Sequence, residues 1–211
     1  MTAIDVYRAL LSRGALPVLT LYGSSAGAPR LELSGKVVAN HVAKAANFLA
    51  DDLMIDAGSN LELDLPSHWR LITWGLGGLL AGATVGFEDG ETLVTTDPSG
   101  DADEVIAVSL GALDLSYPGD LPTGVTDGNG EVLSQPDILL DETLGADSNA
   151  ADFQVDLPEG SGRLLLVDPT PQELLSTFLS ALQKDWTLVV ADADSAEKAE
   201  QVEGAVRLPR V

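Results

Sequence analysis

The side chains best suited to chemistry follow two predicted strands, at the points where each strand ends. Asp64 and Asp168 end corresponding strands just before a proline, and His68 and Trp69 follow the first of these prolines. Ligands of open α/β sheets bind beyond the carboxyl ends of parallel strands. We therefore predict a binding cleft at these strand ends, with five candidate residues: Asp64, His68, Trp69, Asp168 and Thr170. The alternative is that the acids form turns and helix caps, and that His68 and Trp69 are packed at the start of a helix.

The remaining polar residues do not form a recognisable catalytic set. His41 and His68 are the only histidines, and no cluster of carboxylates accompanies either, so we expect no metal site. His41 falls one residue before the core-facing Val42 of a predicted helix, which indicates a position on the flank of that helix. Ser24 and Ser25 have no nearby histidine, so we expect no catalytic triad there. The absence of cysteine excludes a disulfide framework and thiol catalysis.

The stretch from Leu71 to Phe87 is uncharged and rich in glycine. It does not match the dinucleotide-binding fingerprint, because Leu80 stands where the third glycine should be. No glycine-rich turn in the chain is followed by the lysine of a phosphate loop, so we expect no bound cofactor. The stretch is shorter than the roughly 20 residues that a spanning helix needs, and we expect no membrane insertion. We predict a buried helix whose small residues let it lie close to a sheet, followed by a strand.

Charge is distributed very unevenly along the chain. The formal net charge is −22, and no lysine or arginine occurs between Arg70 and Arg163. Such a surface repels nucleic acid and anionic lipid, so we expect no nucleic-acid partner. One interpretation of the acidic segment is a docking face that binds a basic partner or divalent cations. The alternative is a solvated surface that keeps the protein soluble or adapts it to a salty cytoplasm. The N-terminal residues 1–17 lack the apolar run of a signal peptide, and we expect a cytoplasmic location.

Two segments, residues 60–87 and 162–191, have the strand–helix–strand pattern of a βαβ unit. A constant shift aligns Pro66 with Pro169, and it aligns several apolar helix positions as well. We predict that both units belong to one mostly parallel sheet with flanking helices, in a single α/β domain over residues 1–211. The helix of the first unit, residues 60–87, is predicted to start at Pro66, with Ser67 as a capping candidate, and to end at Gly82.

The other elements are predicted from periodicity and turn residues. Residues 97–161 read as a long acidic, irregular connection, with a short helix near Pro136–Leu144. Residues 23–29 read as a turn. Helices are expected over 4–13, 35–52 and 195–202, and strands over 16–22, 30–33, 91–95, 104–110 and 205–208.

The two strand–helix–strand segments resemble a known protein family. The runs Asn60–Pro66 (NLELDLP) and Leu79–Val85 (LLAGATV) are similar to consecutive patterns near the N-terminus of adenylate-forming enzymes, the acyl-CoA synthetase and AMP-binding group. The segment 162–191 resembles a later stretch of the same domain, with Asp185 where that family prefers glycine. The chain is also similar to a short family of uncharacterised actinobacterial proteins related to that domain. The resemblance implies an acetyl-CoA synthetase-like N-terminal α/β fold.

The residues that handle ATP in this family have no counterparts here. The resemblance implies a Ser/Thr/Gly-rich loop ending in Pro-Lys between the two segments, where this chain has no lysine. Gln172 stands where the family has a histidine. The Y-G-x-T-E and T-G-D motifs, and the C-terminal domain with its catalytic lysine, do not occur before Val211. Because stabilising a transferring phosphoryl group requires cations, we expect no adenylation by this chain alone.

These observations favour a non-catalytic relative that keeps the scaffold and a cleft for a small molecule, such as an acyl or nucleotide ligand, or for a partner. One alternative is an enzyme of another class that uses the cleft near His68 and Asp168. The other is an acidic interaction subunit of a larger complex, with residues 71–162 as its docking face.

Overall fold

Two five-stranded sheets form the frame of the computed structural model, which describes residues 1–23, 30–111 and 114–209. The strands of the first sheet are β1 (Pro17–Tyr22), β2 (Arg30–Ser34), β8 (Gly162–Val167), β9 (Trp186–Ala191) and β10 (Val206–Arg207). Their order is β10-β8-β9-β1-β2, with β1 and β2 antiparallel and the other neighbours parallel.

The second sheet is parallel throughout. Its strands are β3 (Asn60–Asp64), β4 (Thr84–Gly86), β5 (Thr92–Thr95), β6 (Glu104–Ala107) and β7 (Val125–Asp127). They are arranged in the order β4-β3-β5-β6-β7. The prediction of an α/β fold with mostly parallel pairing is confirmed.

The helices of the described residues are α1 (Ala3–Arg13), α2 (Gly35–Asn47), α3 (Trp69–Ala81), α4 (Gly128–Ser134), α5 (Pro171–Gln183) and α6 (Ala193–Glu203). A π-helical turn, Phe48–Asp52, continues α2, and 3₁₀ turns occupy Leu144–Asp147 and Ala150–Phe153. No helix within the described ranges is long and apolar enough to cross a membrane.

Helices α1, α2, α3 and α5 contribute to one continuous apolar core that also includes residues of both sheets, for example Leu61 of β3 and Leu188 of β9. Every residue of α3 is buried. Helix α6 covers another face of the first sheet, where Ala196 and Ala199 contact Leu165 and Val189 in a smaller cluster. The main core therefore lies among the central helices and joins the two sheets.

The prediction that both strand–helix–strand units share one sheet is wrong. The unit β3–α3–β4 belongs to the second sheet, and the unit β8–α5–β9 belongs to the first. The reason is strand pairing between distant parts of the chain, since β1 pairs with β9 and β5 pairs with β3. A helix that is apolar on all sides, as α3 is, requires neighbours on every side, and contacts with α2, α5 and β3 supply them.

The start of α3 also differs from the prediction. The helix begins at Trp69, and His68 is its N-cap. Ser67 does not cap it, because the Ser67 hydroxyl donates a hydrogen bond to the carbonyl oxygen of Pro169. The predicted end is confirmed, since Gly82 has the left-handed φ of 101° that favours glycine at a helix C-terminus.

The middle segment contains more structure than expected. The helix predicted near Pro136–Leu144 is absent from the described residues, and α4 lies earlier in the chain. Helix α4 begins at Gly128 because Asp127 caps it: the Asp127 carboxylate accepts hydrogen bonds from the backbone N–H groups of Asn129 and Gly130. The strand expected over 104–110 ends at Ala107, and β7 was not predicted. The turn predicted over 23–29, with Ser24 and Ser25, lies outside the described residues except for Gly23.

Candidate functional site

The ends of β3 and β8 lie next to each other although they belong to different sheets. The hydroxyl of Ser67, in the turn after β3, donates to the carbonyl oxygen of Pro169, in the turn after β8, at 2.6 Å. Asp64 at the end of β3 is exposed, and its Oδ2 accepts a hydrogen bond from Thr95 Oγ1 at 2.8 Å. The structure thus brings together the two turns that contain the predicted site residues.

Thr170 and Asp168 both contribute to the turn into α5. The Thr170 hydroxyl accepts from the Glu173 backbone N–H at 3.2 Å, and Glu173 Oε2 accepts from the Thr170 backbone N–H at 2.7 Å. These reciprocal bonds form a capping box. Asp168 has a positive φ of 45°, and its backbone N–H donates to the Ala191 carbonyl. Their participation in ligand binding stays a prediction.

A cavity of about 290 Å³ lies beside the first turn of α3. Its apolar walls come from β2, α2, α4 and the segment after β6, and they consist of Leu31, Leu33, Val37, Leu115, Val132 and Leu133. Its polar and aromatic lining residues are His41, Trp69, Arg70, Asp114 and Asn129. Of the five residues predicted for the cleft, Trp69 alone lines this cavity.

Aromatic and cationic groups meet around Trp69. The His41 and Trp69 rings form an edge contact with centroids 4.9 Å apart, and the His68 ring lies 5.6 Å from the Trp69 ring. The guanidinium carbon of Arg70 lies 4.7 Å from the centroid of the Trp69 ring, a cation–π distance. The indole Nε1 of Trp69 is buried and has no hydrogen-bond partner in the described residues.

Arg70 is the cation of this site, and it is only 7% exposed. Its Nη2 donates to the Gly111 carbonyl at 3.4 Å, whereas its buried Nε has no partner within the described residues. No carboxylate of those residues lies within 4.0 Å of its side-chain nitrogens. Burial lowers the pKa of Arg70 from its ordinary value, and the charge of Asp114 acts in the opposite direction. The Asp114 carboxylate itself accepts a hydrogen bond from the Ser109 hydroxyl.

Both histidines near Arg70 are uncharged at neutral pH. Burial and the neighbouring Arg70 charge lower the pKa of His68 to about 4. Burial, Arg70 and Lys44 also lower the pKa of His41. Among the residues that line the cavity, Arg70 is therefore the cation and Asp114 the carboxylate. The charge of Arg70 therefore favours an anion over a cation at this side of the cavity.

Sequence reasoning did not identify Arg70 as a site residue. A signal was present, because Arg70 is the last cationic residue before a long segment without lysine or arginine, and it is followed by an entirely uncharged helix. A charge in the first turn of such an apolar helix lies close to the core, where burial is costly unless the charge has partners. The predicted flank position of His41 is confirmed, since His41 is half-buried beside the fully buried Val42. No group of three or more potential metal ligands occurs in the part of the chain that the structure describes.

Comparisons with known proteins identify the scaffold. No family model matches the sequence. A curated relative, the TIGR03089 family protein of Mycobacterium tuberculosis, is 33% identical over 123 residues, which cover 53% of this chain and 50% of that protein. The acyl-CoA synthetase of Brucella canis superposes with a TM-score of 0.74 at 15% identity, over 98% of this chain and 46% of that chain. The acetoacetyl-CoA synthetase of Streptomyces lividans gives a TM-score of 0.70 at 13% identity, over 97% of this chain and 41% of that chain.

The chain spans about half the length of the curated relative, and less than half the length of these two synthetases. At such low identities the structural matches establish the arrangement of helices and strands. The chain therefore has the fold of the N-terminal domain of acyl-CoA synthetases and related adenylate-forming enzymes, as its strand–helix–strand segments predicted.

Proposed function

We propose that this chain is a non-catalytic relative of the adenylate-forming N-terminal domain that binds a small molecule in the cavity beside α3. The observation that supports binding most directly is the cavity itself, with apolar walls and one buried arginine whose Nε has no hydrogen-bond partner among the described residues. Binding pockets combine mostly apolar linings with a few polar groups that orient the ligand. Its volume, about 290 Å³, lies near the lower end of the range for small-molecule sites.

The charge distribution supports the absence of adenylation. Phosphoryl-transfer sites hold the transferring phosphate with lysine, arginine and metal ions. No lysine or arginine occurs between Arg70 and Arg163, which includes the whole segment where the resemblance places the phosphate loop. Gln172, at the position of the family's histidine, follows a turn whose groups form the capping box of α5. A cytoplasmic location is part of the same proposal.

Binding can be tested by thermal unfolding of the full chain with ATP, AMP, CoA and a series of short carboxylic acids and amides. A ligand at about one hundred times its Kd should raise Tm by roughly 5–10 °C, because it binds only the native state. Val37→Trp, at an exposed position on the cavity wall, should reduce the shift by obstructing the cavity. Val202→Trp is the matched control, since Val202 is also an exposed valine of a helix but lies in α6, away from the cavity.

The non-catalytic part of the proposal needs a separate assay. Pyrophosphate release should stay at background when the chain is incubated with magnesium, ATP and each carboxylic acid. Release above background that Arg70→Met abolishes would show adenylation and overturn this part. A lack of any thermal shift with the whole series, or equal shifts in Val37→Trp and the unsubstituted chain, would overturn binding at this cavity.

A further inference from the structure

The outer edge of β2 offers a surface for a second copy of this chain. It is the last strand of the first sheet, and in the part of the chain that the structure describes it pairs only with β1. None of the five residues of β2 is buried, whereas five of the six residues of β1 are. An exposed strand edge presents backbone N–H and C=O groups with which another strand can pair. We propose that two copies associate by antiparallel pairing of β2 with β2, which joins their first sheets across a two-fold axis.

The charges of β2 favour one register of this pairing. With Leu31 on the two-fold axis, Arg30 of each copy lies opposite Glu32 of the other, so both of these cross-strand pairs join opposite charges. With Glu32 on the axis, two glutamates would lie opposite each other, which is unfavourable. A shift of one residue would place Leu31 opposite Glu32, and the apolar face of one copy would meet the charged face of the other. The strand is therefore complementary to itself in the register with Leu31 on the axis.

Arg30 and Glu32 are accessible although they take part in an ion-pair network within the chain. Arg30 pairs with Glu32 and with Glu203, and Arg163 lies near both carboxylates. The side chains of Arg30 and Glu32 are nonetheless 39% and 32% exposed. A guanidinium has five N–H donors and a carboxylate has two acceptor oxygens, so both groups can bond to a second copy while they keep these contacts. Because the network already holds the two side chains, less conformational entropy is lost on association.

The opposite face of β2 supplies apolar surface beside the paired strands. Leu31 and Leu33 pack against the main core and line the cavity, whose wall continues to Val37 and Leu133, which are 41% and 43% exposed. A two-fold axis perpendicular to the joined sheet places this face of both copies on the same side. Five paired residues alone bury less than the roughly 800 Å² per copy of a standard interface, so we expect moderate affinity, with a Kd on the order of 10–100 μM.

The distribution of charge along the chain also favours association at β2. Residues 1–50, which include β2, contain five lysines and arginines and two acidic residues. The remaining residues contain 31 acidic residues against six lysines and arginines. Two copies with a net charge of −22 repel each other, and this repulsion opposes contacts between their acidic parts most strongly. A contact through β2 brings together the part of each copy that is not acidic.

The test begins with the oligomeric state of the full chain. In sedimentation velocity at about 0.15 M NaCl, which screens the long-range repulsion, the average mass should rise from 21.9 kDa toward twice that value between about 5 and 500 μM protein. Hydrogen exchange at the same two concentrations should show that the backbone amides of residues 30–34 become more protected as the dimer forms, because new cross-strand hydrogen bonds cover them. A chain that stays monomeric over the whole range would overturn the proposal.

Charge reversal tests the register. Glu32→Lys would place a cation opposite Arg30 of the second copy and should weaken the dimer by about tenfold or more. Glu197→Lys is the matched control, because it makes the same change of charge at an exposed position of α6 and should leave the dimer intact. Arg30→Glu should also weaken its own dimer. An equimolar mixture of the Arg30→Glu and Glu32→Lys variants should dimerise again, since each strand then faces opposite charges.

The remaining outcomes have distinct meanings. A dimer that Glu32→Lys leaves unchanged, with no added protection of residues 30–34, would place the contact elsewhere and overturn the proposal. A mixture that stays monomeric, with both variants folded by circular dichroism, would overturn the register. Arg30→Glu loses the ion pair with Glu203, so if that variant does not fold, the comparison of Glu32→Lys with Glu197→Lys and the hydrogen exchange decide. None of these measurements contains a small molecule or changes the cavity walls, so their failure leaves the proposed binding function as it is.

Discussion

At the scale of single residues, His68 shows how burial and capping together determine a protonation state. Its Nδ1 accepts a hydrogen bond from the Arg70 backbone N–H at 3.3 Å, which caps α3, and the residue is only 4% exposed. Protonation would convert that acceptor into a donor and place a second cation beside Arg70. Burial and, after it, the neighbouring Arg70 charge lower the pKa of His68 to about 4, so the ring is neutral and its Nδ1 can accept the capping bond.

We predict that His68→Asn weakens the pH dependence of stability. In the unfolded chain His68 titrates near its ordinary pKa of about 6.5, whereas in the folded chain its pKa is about 4. The unfolded state therefore binds the extra proton between these values, and stability falls as pH decreases from about 6.5 to about 4, by about 3 kcal/mol at most. Asparagine retains a capping acceptor and does not titrate.

Urea unfolding of both proteins at pH 7.5, 6.0 and 5.0 measures this effect. Above pH 7 the free energies of unfolding of the two proteins should differ by a constant amount. On acidification, the free energy of unfolding of the variant should fall less than that of the unsubstituted chain. His41, whose pKa is lowered in the same direction, titrates in both proteins and cancels in the comparison. Parallel curves for the two proteins would show that His68 is not buried as a neutral ring.

At the scale of elements, α3 is positioned by the absence of side chains at its glycines. A Cβ at Gly77 would lie 2.8 Å from the Cβ of Ala45 and 3.2 Å from the backbone nitrogen of Ala46, both in α2. A Cβ at Gly75 would meet the flexible methyl groups of Leu175 and Leu63 instead. Gly77 thus allows α3 to approach α2 closely, and Gly75 lies against leucine side chains of α5 and β3. The sequence predicted that the small residues would let this helix lie close to a sheet, and the closest backbone approach shown by these two glycines is to α2.

We predict that Gly77→Ala destabilises the fold by about 1–3 kcal/mol, because α2 would have to move away from α3. Gly75→Ala, the same substitution in the same helix, should change stability by less than about 1 kcal/mol, since leucine methyl groups can rotate and alanine favours the helix. Chemical denaturation of the two variants in parallel makes the comparison. If Gly77→Ala and Gly75→Ala lower the free energy of unfolding equally, contact with α2 does not determine the position of α3.

At the scale of the whole molecule, negative charge opposes the compact state. The chain has 33 aspartates and glutamates against 11 lysines and arginines. Several of the cationic residues form ion pairs, such as the one between Arg30 and Glu203, and most of the acidic surface has no cationic partner among the described residues. Repulsion among like surface charges decreases when salt shortens the distance over which they interact.

We predict that raising NaCl from about 0.02 M to about 0.5 M increases stability by about 1–2 kcal/mol, which corresponds to about 2–8 °C in Tm for a chain of this size. Exposed ion pairs such as Arg8–Glu142 weaken over the same range, but each is worth at most about 1 kcal/mol. Scanning calorimetry in NaCl and in KCl should give the same increase, because screening depends on ionic strength and not on the cation. A Tm that falls or stays constant would show that ion pairing outweighs the acidic repulsion.

The sequence by itself was sufficient to predict the α/β class, the two strand–helix–strand units and the family whose fold the chain shares. It also indicated that α3 is buried and that Gly82 ends it. The elements and their ends depend on local periodicity and on turn chemistry, which neighbouring residues determine within one or two turns of chain. The family was indicated separately, by the resemblance of the runs Asn60–Pro66 and Leu79–Val85 to its sequence patterns.

Only the tertiary structure decided which sheet each unit joins, and which residues surround a cavity. The pairing of β1 with β9 and the hydrogen bond from Ser67 to Pro169 join residues far apart in the chain, and no local pattern specifies them. Asp64 and Thr170 were proposed as site residues from their positions after the strands, whereas the sequence signal at Arg70 indicated an unusual charge beside an uncharged helix but not the cavity that it lines. The importance of Arg70 comes from burial against Trp69 and from an unsatisfied nitrogen, and both depend on packing between α2, α3, α4 and the segment after β6.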